Sequence, residues 1–110
     1  MNNDLLQKKC VPCEGGVAPL VQIEAEAFMK WVDAWTLAPD IKKISKEYKF
    51  NDFKDAMVFV NKVADVANAE NHHPDIYIYY NKVKLELTTH AINGLSQNDF
   101  IVAAKADAVN

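Results

Sequence analysis

The sequence predicts an α+β fold of order α-β-β-α-β-β-α, in which a four-stranded antiparallel sheet is covered on one face by three helices. Three observations carry that prediction. Residues 76–80 and 83–87 form two alternating runs around Asn81-Lys82, the pattern of a hairpin with one buried face. Phe53, Ala56, Met57, Val60, Val63, Ala64 and Ala67 recur at the spacing of an amphipathic helix. Two polar clusters, Asn51-Asp52 and Ser96-Gln97-Asn98-Asp99, are of the kind that caps helix N-termini.

In chain order, residues 1–18 have no strong period and are punctuated by Pro12, Gly15 and Gly16. They read as a leader folded over a single domain spanning 19–110. The first helix is predicted over 19–33, with Pro19 in its first turn and Leu20, Ile23, Ala27 and Trp31 on one face. Trp35-Thr36-Leu37 suggests a short strand and Ala38-Pro39-Asp40 a turn. In residues 44–50, Ile44, Tyr48 and Phe50 share one face, and Lys46 is the exception on that side, placed where the strand passes the sheet edge. Asp52, with Asp55 three residues on, starts a helix running to about residue 69, whose Phe53, Met57 and Phe59 are expected in the core.

Pro74 disfavours helix at His73, so the chain emerges extended. Ile76, Ile78 and Tyr80 then take one face of a strand, and after Asn81-Lys82 the residues Val83, Leu85 and Leu87 face inward. The cluster at Ser96 opens a third helix with Phe100, Ile101, Ala104 and Ala108 as its apolar positions.

Bulk properties narrow the function. The chain has 110 residues, half of them apolar, and a net charge of -3. This is one globular domain, without the concentrated basic face that phosphate recognition needs, so direct nucleic-acid binding is not expected. No cationic and apolar signal region opens the sequence, and no apolar run is long enough for a bilayer, so a cytoplasmic protein with no membrane partner is expected. Cys10 and Cys13 make a lone Cys-x-x-Cys. It reads as a reduced surface pair, a redox-sensitive pair, or part of a zinc site completed by another chain.

All three histidines, His72, His73 and His90, lie within one stretch. Simple pairing about the Asn81-Lys82 turn puts His90 opposite residue 73 and brings the imidazoles to one end of the sheet. Such a set suits proton transfer near neutral pH without a covalent intermediate, since Ser45 and Ser96 have strand or capping roles and the cysteines lie in the leader. A structural hydrogen-bonded cluster and a zinc site remain open on spacing alone. Adjacent residues on extended backbone point to opposite sides, which weighs against His72 and His73 sharing one metal.

At these residues the chain resembles a known family. Glu70-Asn71-His72-His73-Pro74, then Tyr79-Tyr80-Asn81-Lys82-Val83, Leu85-Glu86-Leu87-Thr88-Thr89-His90 and Gly94-Leu95-Ser96-Gln97-Asn98-Asp99 closely resemble the pterin-4a-carbinolamine dehydratases. Phe50-Asn51-Asp52-Phe53 and Trp35 look like the same family's strand-to-helix junction and tryptophan. The resemblance covers about residues 20–108, and the leader around Cys10-Val11-Pro12-Cys13 looks like that of some microbial members.

The resemblance implies a hydro-lyase that converts 4a-hydroxytetrahydropterin to quinonoid dihydropterin and water. This would recycle the pterin of an aromatic amino acid hydroxylase, with no cofactor and no metal. It implies acid/base roles for His72 and His90, and for His73 chiefly a role in holding the pterin. Pro74 accompanies that pair; Trp35 would border the pterin or belong to the core, and Asp75 would lend polarity or serve the turn. It also implies a homodimer or homotetramer, and it leaves an alternative from another class, a non-enzymatic assembly module or transcription cofactor. Two positions depart from the pattern. Asn68 stands where many members carry glutamate, which leaves the first histidine without an assigned carboxylate, and Ile76 stands where an aromatic residue is common.

Overall fold

The computed structural model describes residues 4–12 and 17–110. Helix α1 spans Gln22–Met29, strand β1 Thr36–Leu37, β2 Ile44–Lys49, helix α2 Phe53–Glu70, β3 Asp75–Tyr79, β4 Lys82–Leu87 and helix α3 Gln97–Ala108. Short 3-10 turns at Asp4–Gln7 and His90–Ile92 complete the chain. The sheet is antiparallel throughout, in the order β1-β2-β4-β3. The predicted α+β class and element order therefore hold.

Alternation along the strands decides which face is covered. Ile44, Tyr48, Val83, Leu85 and Leu87 are buried under the helices, whereas Glu47, Lys49, Tyr77 and Tyr79 are exposed. α2 supplies Ala56, Phe59, Val63 and Ala67 to the core, and Phe59 packs against the rings of Tyr48 and Phe50 at centroid distances of 4.5 and 5.2 Å. Asp52 caps this helix by accepting the Asp55 N–H at 2.8 Å. Phe53 lies outside the expected core, 48% exposed, because it opens the helix's first turn. α3 runs through the centre, with every residue from Asn98 to Ala104 buried. Its far end lies at the surface, where Ala108 is exposed.

Helix α1 departs from its expected bounds and face. Leu20 donates its N–H to the Leu95 carbonyl at 2.8 Å, so residues 19–21 are held extended and the helix starts after Val21. Ala25 is then its buried residue, Phe28 stacks on Phe100 at 5.1 Å, and Ile23 is 77% exposed. Pro19 packs instead against Gly94, where an added Cβ would fall 2.6 Å from the Pro19 Cβ; the close approach requires glycine.

The hairpin register is shifted from the expected one, with the two-residue turn one position earlier. Tyr79 pairs with Lys82 and Asp75 with Glu86, so the turn is Tyr80-Asn81, with Tyr80 in the left-handed region at φ 50°. Asn81 ties this turn to β2, accepting the Phe50 N–H on its carbonyl at 2.8 Å and donating its amide to the Phe50 carbonyl at 3.2 Å.

Near the C-terminal end of α3, one carboxylate organises several side chains. Asp107 accepts from Trp35 Nε1 at 3.0 Å, Lys46 Nζ at 2.9 Å and Tyr48 Oη at 2.6 Å. Lys46, the polar intruder on the apolar face, is thus partnered by Asp107 and by the Asp33 carbonyl at 2.8 Å. Burial, and then its hydrogen bond to Asp107, push the Tyr48 phenol well above its ordinary range. Asp107→Ala strands a lysine and two aromatic donors together, and should lower the unfolding free energy by about 3 kcal/mol. Urea denaturation checks this; a loss near zero would mean that water replaces the carboxylate.

Candidate active site

The site begins where α2 ends. Asn71 takes the left-handed conformation, φ 52° and ψ 40°, and the N–H groups of Asn71 and His72 both return to the Ala67 carbonyl, which closes the helix. Pro74 then commits the chain to extended backbone. His72 and His73 therefore leave the cap in different directions.

His72 turns inward. Its Nε2 lies 2.6 Å from Asp99 Oδ1, and the Asp99 side chain is fully buried. The other carboxylate oxygen, Oδ2, accepts the Thr89 hydroxyl at 2.8 Å and the Ser96 N–H at 3.0 Å. Because the single Thr89 hydroxyl proton goes to Asp99, the Ser96 hydroxyl must donate to Thr89 Oγ1 across their 2.8 Å contact. An ionised Asp99 can only accept, so the proton between it and His72 sits on Nε2 and leaves Nδ1 as the ring's unpledged nitrogen.

His73 turns outward, and its Nε2 donates to Asn68 Oδ1 at 3.0 Å. The position that departs from the family pattern thus serves the second histidine, and Asp99 supplies the carboxylate of the first. Sequence reasoning missed Asp99 as a site residue because its place in the capping cluster already explained it; the available signal was its second oxygen, which a cap leaves unused.

His90 reaches the same place by a route other than the expected one. β4 ends at Leu87, so His90 is not paired across the hairpin. Thr89 and Gly94 instead form an antiparallel bridge, through N–H···O contacts of 2.8 and 3.4 Å, and the 3-10 turn His90–Ile92 lies within the loop they close. The His90 ring is exposed and has no hydrogen-bond partner among the described residues.

The three imidazoles line one cleft of about 610 Å3, together with Thr88, Thr89 and the leader residues 10–12. Pro74 is half-buried beside it and does not line it. Asp75 is exposed at the start of β3 and lines a separate hollow of about 250 Å3, which shares Thr88 and His90 with the cleft. Trp35 is not at the cleft: it is 6% exposed, in edge contact with Tyr48 and bonded to Asp107. Its core role is the one realised.

The leader is fastened to this rim. Glu70 accepts the Cys10 N–H at 2.9 Å and Lys105 Nζ at 2.7 Å. The Lys105 hydrogen bond, aided by the Cys10 N–H and opposed by burial, holds the Glu70 carboxyl below its usual range. Burial, and then the neighbouring Glu70, push the Cys10 thiol up to about 12, so at neutral pH it is a protonated and unreactive thiol. Cys13 lies outside the described residues, as do Gly15 and Gly16. Among the described residues, no group of three or more His, Cys, Asp or Glu side chains could hold a metal ion. Among the described residues, no helix is long and apolar enough to cross a membrane.

Comparison with known proteins gives consistent results. The family model described as pterin 4 alpha carbinolamine dehydratase matches residues 18–109. A relative from Halorhodospira halophila, provisionally named a pterin-4-alpha-carbinolamine dehydratase, is 49% identical over 105 residues, covering 96% of each chain. One from Nitrosomonas eutropha, with the same provisional name, is 50% identical over 105 residues, covering 94% of this chain and 91% of its own. Among solved structures, a transcriptional coactivator/pterin dehydratase from Brucella melitensis superposes with a TM-score of 0.79 at 31% identity, covering 83% of this chain and 97% of that one. A pterin dehydratase-like protein identified as a RuBisCO assembly factor in the α-carboxysome shares the fold, with a TM-score of 0.60 at 18% identity over 69% of this chain and 88% of its own.

Two outcomes follow from the geometry. Long-range proton–nitrogen NMR should find neutral His72 as the Nε2–H tautomer, and Asp99→Asn should abolish that preference; an Nδ1–H tautomer in the folded wild type would contradict the assignment. In a Cys13→Ser background, alkylation of Cys10 at about pH 8 should be roughly a hundredfold or more slower than for the unfolded chain, and should still be climbing with pH well into the alkaline range, as the thiolate fraction grows. Mass spectrometry of the labelled protein measures both.

Proposed function

Because the chain belongs to the pterin 4 alpha carbinolamine dehydratase family across residues 18–109, we propose that it dehydrates 4a-hydroxytetrahydropterin to quinonoid dihydropterin. The observation that carries this reading is the convergence of His72, His73 and His90 on one cleft, with His72 anchored by the buried Asp99.

The reaction is a proton relay. One imidazolium protonates the 4a-hydroxyl, the C4a–O bond breaks and water leaves. A neutral imidazole takes the proton from N5 as its electron pair forms the C4a=N5 double bond. One proton is given and one is taken, so the histidine pair returns to its starting charge. His72 and His90 fill these two roles. The Asp99 carboxylate fixes the tautomer and orientation of the His72 ring, while exposed His90 is open to solvent. His73, held by Asn68, positions the pterin. On this reading the substrate comes from an aromatic amino acid hydroxylase, and a reductase consumes the product.

A second reading, an assembly or cofactor module, draws on the edge strand β3, where Tyr77 and Tyr79 are 40% and 55% exposed and Tyr80 just beyond is 65% exposed. Such a strand can pair with another chain. Partner capture that survives replacement of all three histidines would favour it.

The deciding assay is carbinolamine dehydration by purified protein. His72→Ala and His90→Ala should each lower kcat by about a hundredfold, whereas His73→Ala should raise KM more than it lowers kcat. A wild-type rate equal to the spontaneous background would refute the dehydratase reading.

A further inference from the structure

Part of the cleft wall comes from outside the span of the family match. Cys10, Val11 and Pro12 line it, and all three precede residue 18, where the family match begins. This segment is built in by three independent attachments. Leu5, in the 3-10 turn Asp4–Gln7, is 2% exposed and belongs to the main core. The Glu70 carboxylate, itself gripped by Lys105, holds the Cys10 N–H.

The third attachment is the most specific. The Asn98 side chain, 4% exposed, accepts the Val11 N–H on Oδ1 at 3.1 Å and donates Nδ2 to the Val11 carbonyl at 2.6 Å. One primary amide thus satisfies both backbone groups of one residue, as a neighbouring strand would. The Cys10 thiol adds a contact of 3.6 Å to the Asn98 carbonyl.

These anchors are the neighbours of the catalytic candidates in sequence. Asn98 precedes Asp99, which holds His72, and Glu70 stands two residues before His72. The wall is therefore set in register with the imidazole rim. Its backbone is held at Cys10 and at both polar groups of Val11, yet Val11 is 66% exposed and Pro12 is exposed. Two stiff apolar side chains on a fixed backbone form a surface that costs little entropy to use.

From this placement, and resting on the dehydratase reading, we infer that Val11 and Pro12 form the apolar wall against which one face of the pterin packs, with Asn98 as the positioning residue that fixes the wall relative to His72. A pterin bicycle presents broad, largely apolar faces and a polar edge of ring nitrogens, oxo and amino groups. The leader side chains match the faces, and the histidines match the edge. Binding in this protein therefore depends on a segment that precedes the family domain.

The test uses the full chain and two measurements: dehydration kinetics, and the Kd of dihydrobiopterin as a stable probe, read by fluorescence. Val11→Asp, an exposed position, should leave the thermal midpoint in place and raise both KM and Kd by about tenfold, with a smaller effect on kcat. Asn98→Ala should do the same by freeing the wall. Should Asn98→Ala fail to fold, Val11→Asp carries the test alone. Ile23→Asp, which adds the same charge on exposed α1 away from the cleft, should change neither constant. If wild type is active and binds the probe while Val11→Asp matches it in KM and Kd, the wall assignment is overturned and the dehydratase reading stands. If wild type neither binds nor accelerates dehydration, both fall.

Discussion

The buried carboxylate of Asp99 is the constraint on which the site and much of the fold's closure depend. Removing a carboxylate from water costs several kcal/mol unless its oxygens are hydrogen-bonded. Here the donors come from three parts of the chain: the His72 ring beyond α2, the Thr89 hydroxyl after β4, and the Ser96 N–H at the start of α3. Its place in the first turn of α3 adds the favourable field of a helix N-terminus. Satisfying one carboxylate thus draws the helix cap, the strand end and the helix start to a single point, and the cleft opens beside that point.

A second carboxylate shows what a purely structural version looks like. Asp107, near the other end of α3, gathers Trp35, Lys46 and Tyr48, with none of them at the cleft. Both networks are closed, in that no buried side-chain polar atom among the described residues lacks a partner. They differ in what they leave over. The Asp107 network spends its donors internally, whereas the Asp99 network ends on an imidazole that lines a cleft and has, among the described residues, one nitrogen unpledged; the ring of His90, also without a partner among those residues, lines the same cleft. That remainder is what gives the second network its chemistry.

The leader belongs to the same scheme. Glu70 stands two residues before His72 and Asn98 one before Asp99, and each holds backbone of residues 10–11. The same two segments thus orient the first histidine and position the wall facing it, so a shift of either would move both.

Much of this was legible in the residues themselves, wherever local physics decides. The amphipathic spacing of α2, the Asp52 and Ser96 clusters, the Pro74 stop and the alternation of residues 83–87 each name an element, because side-chain period and capping depend on near neighbours. The resemblance of the histidine motifs to a family likewise rests on local strings. Tertiary structure alone decided the rest. Pinning of Leu20 to Leu95 turned α1 onto Ala25 and Phe28; the left-handed Tyr80 moved the hairpin turn one residue earlier; insertion of β4 between β2 and β3 set the strand order. The same holds for the pairing of His72 with Asp99, 27 residues apart, for the service of Asn68 to His73, and for the strap of residues 10–12 across 60 and 87 residues to Glu70 and Asn98. A polar side chain carries no periodic signal of its distant partner; only when the core packs do the two arrive within hydrogen-bonding reach.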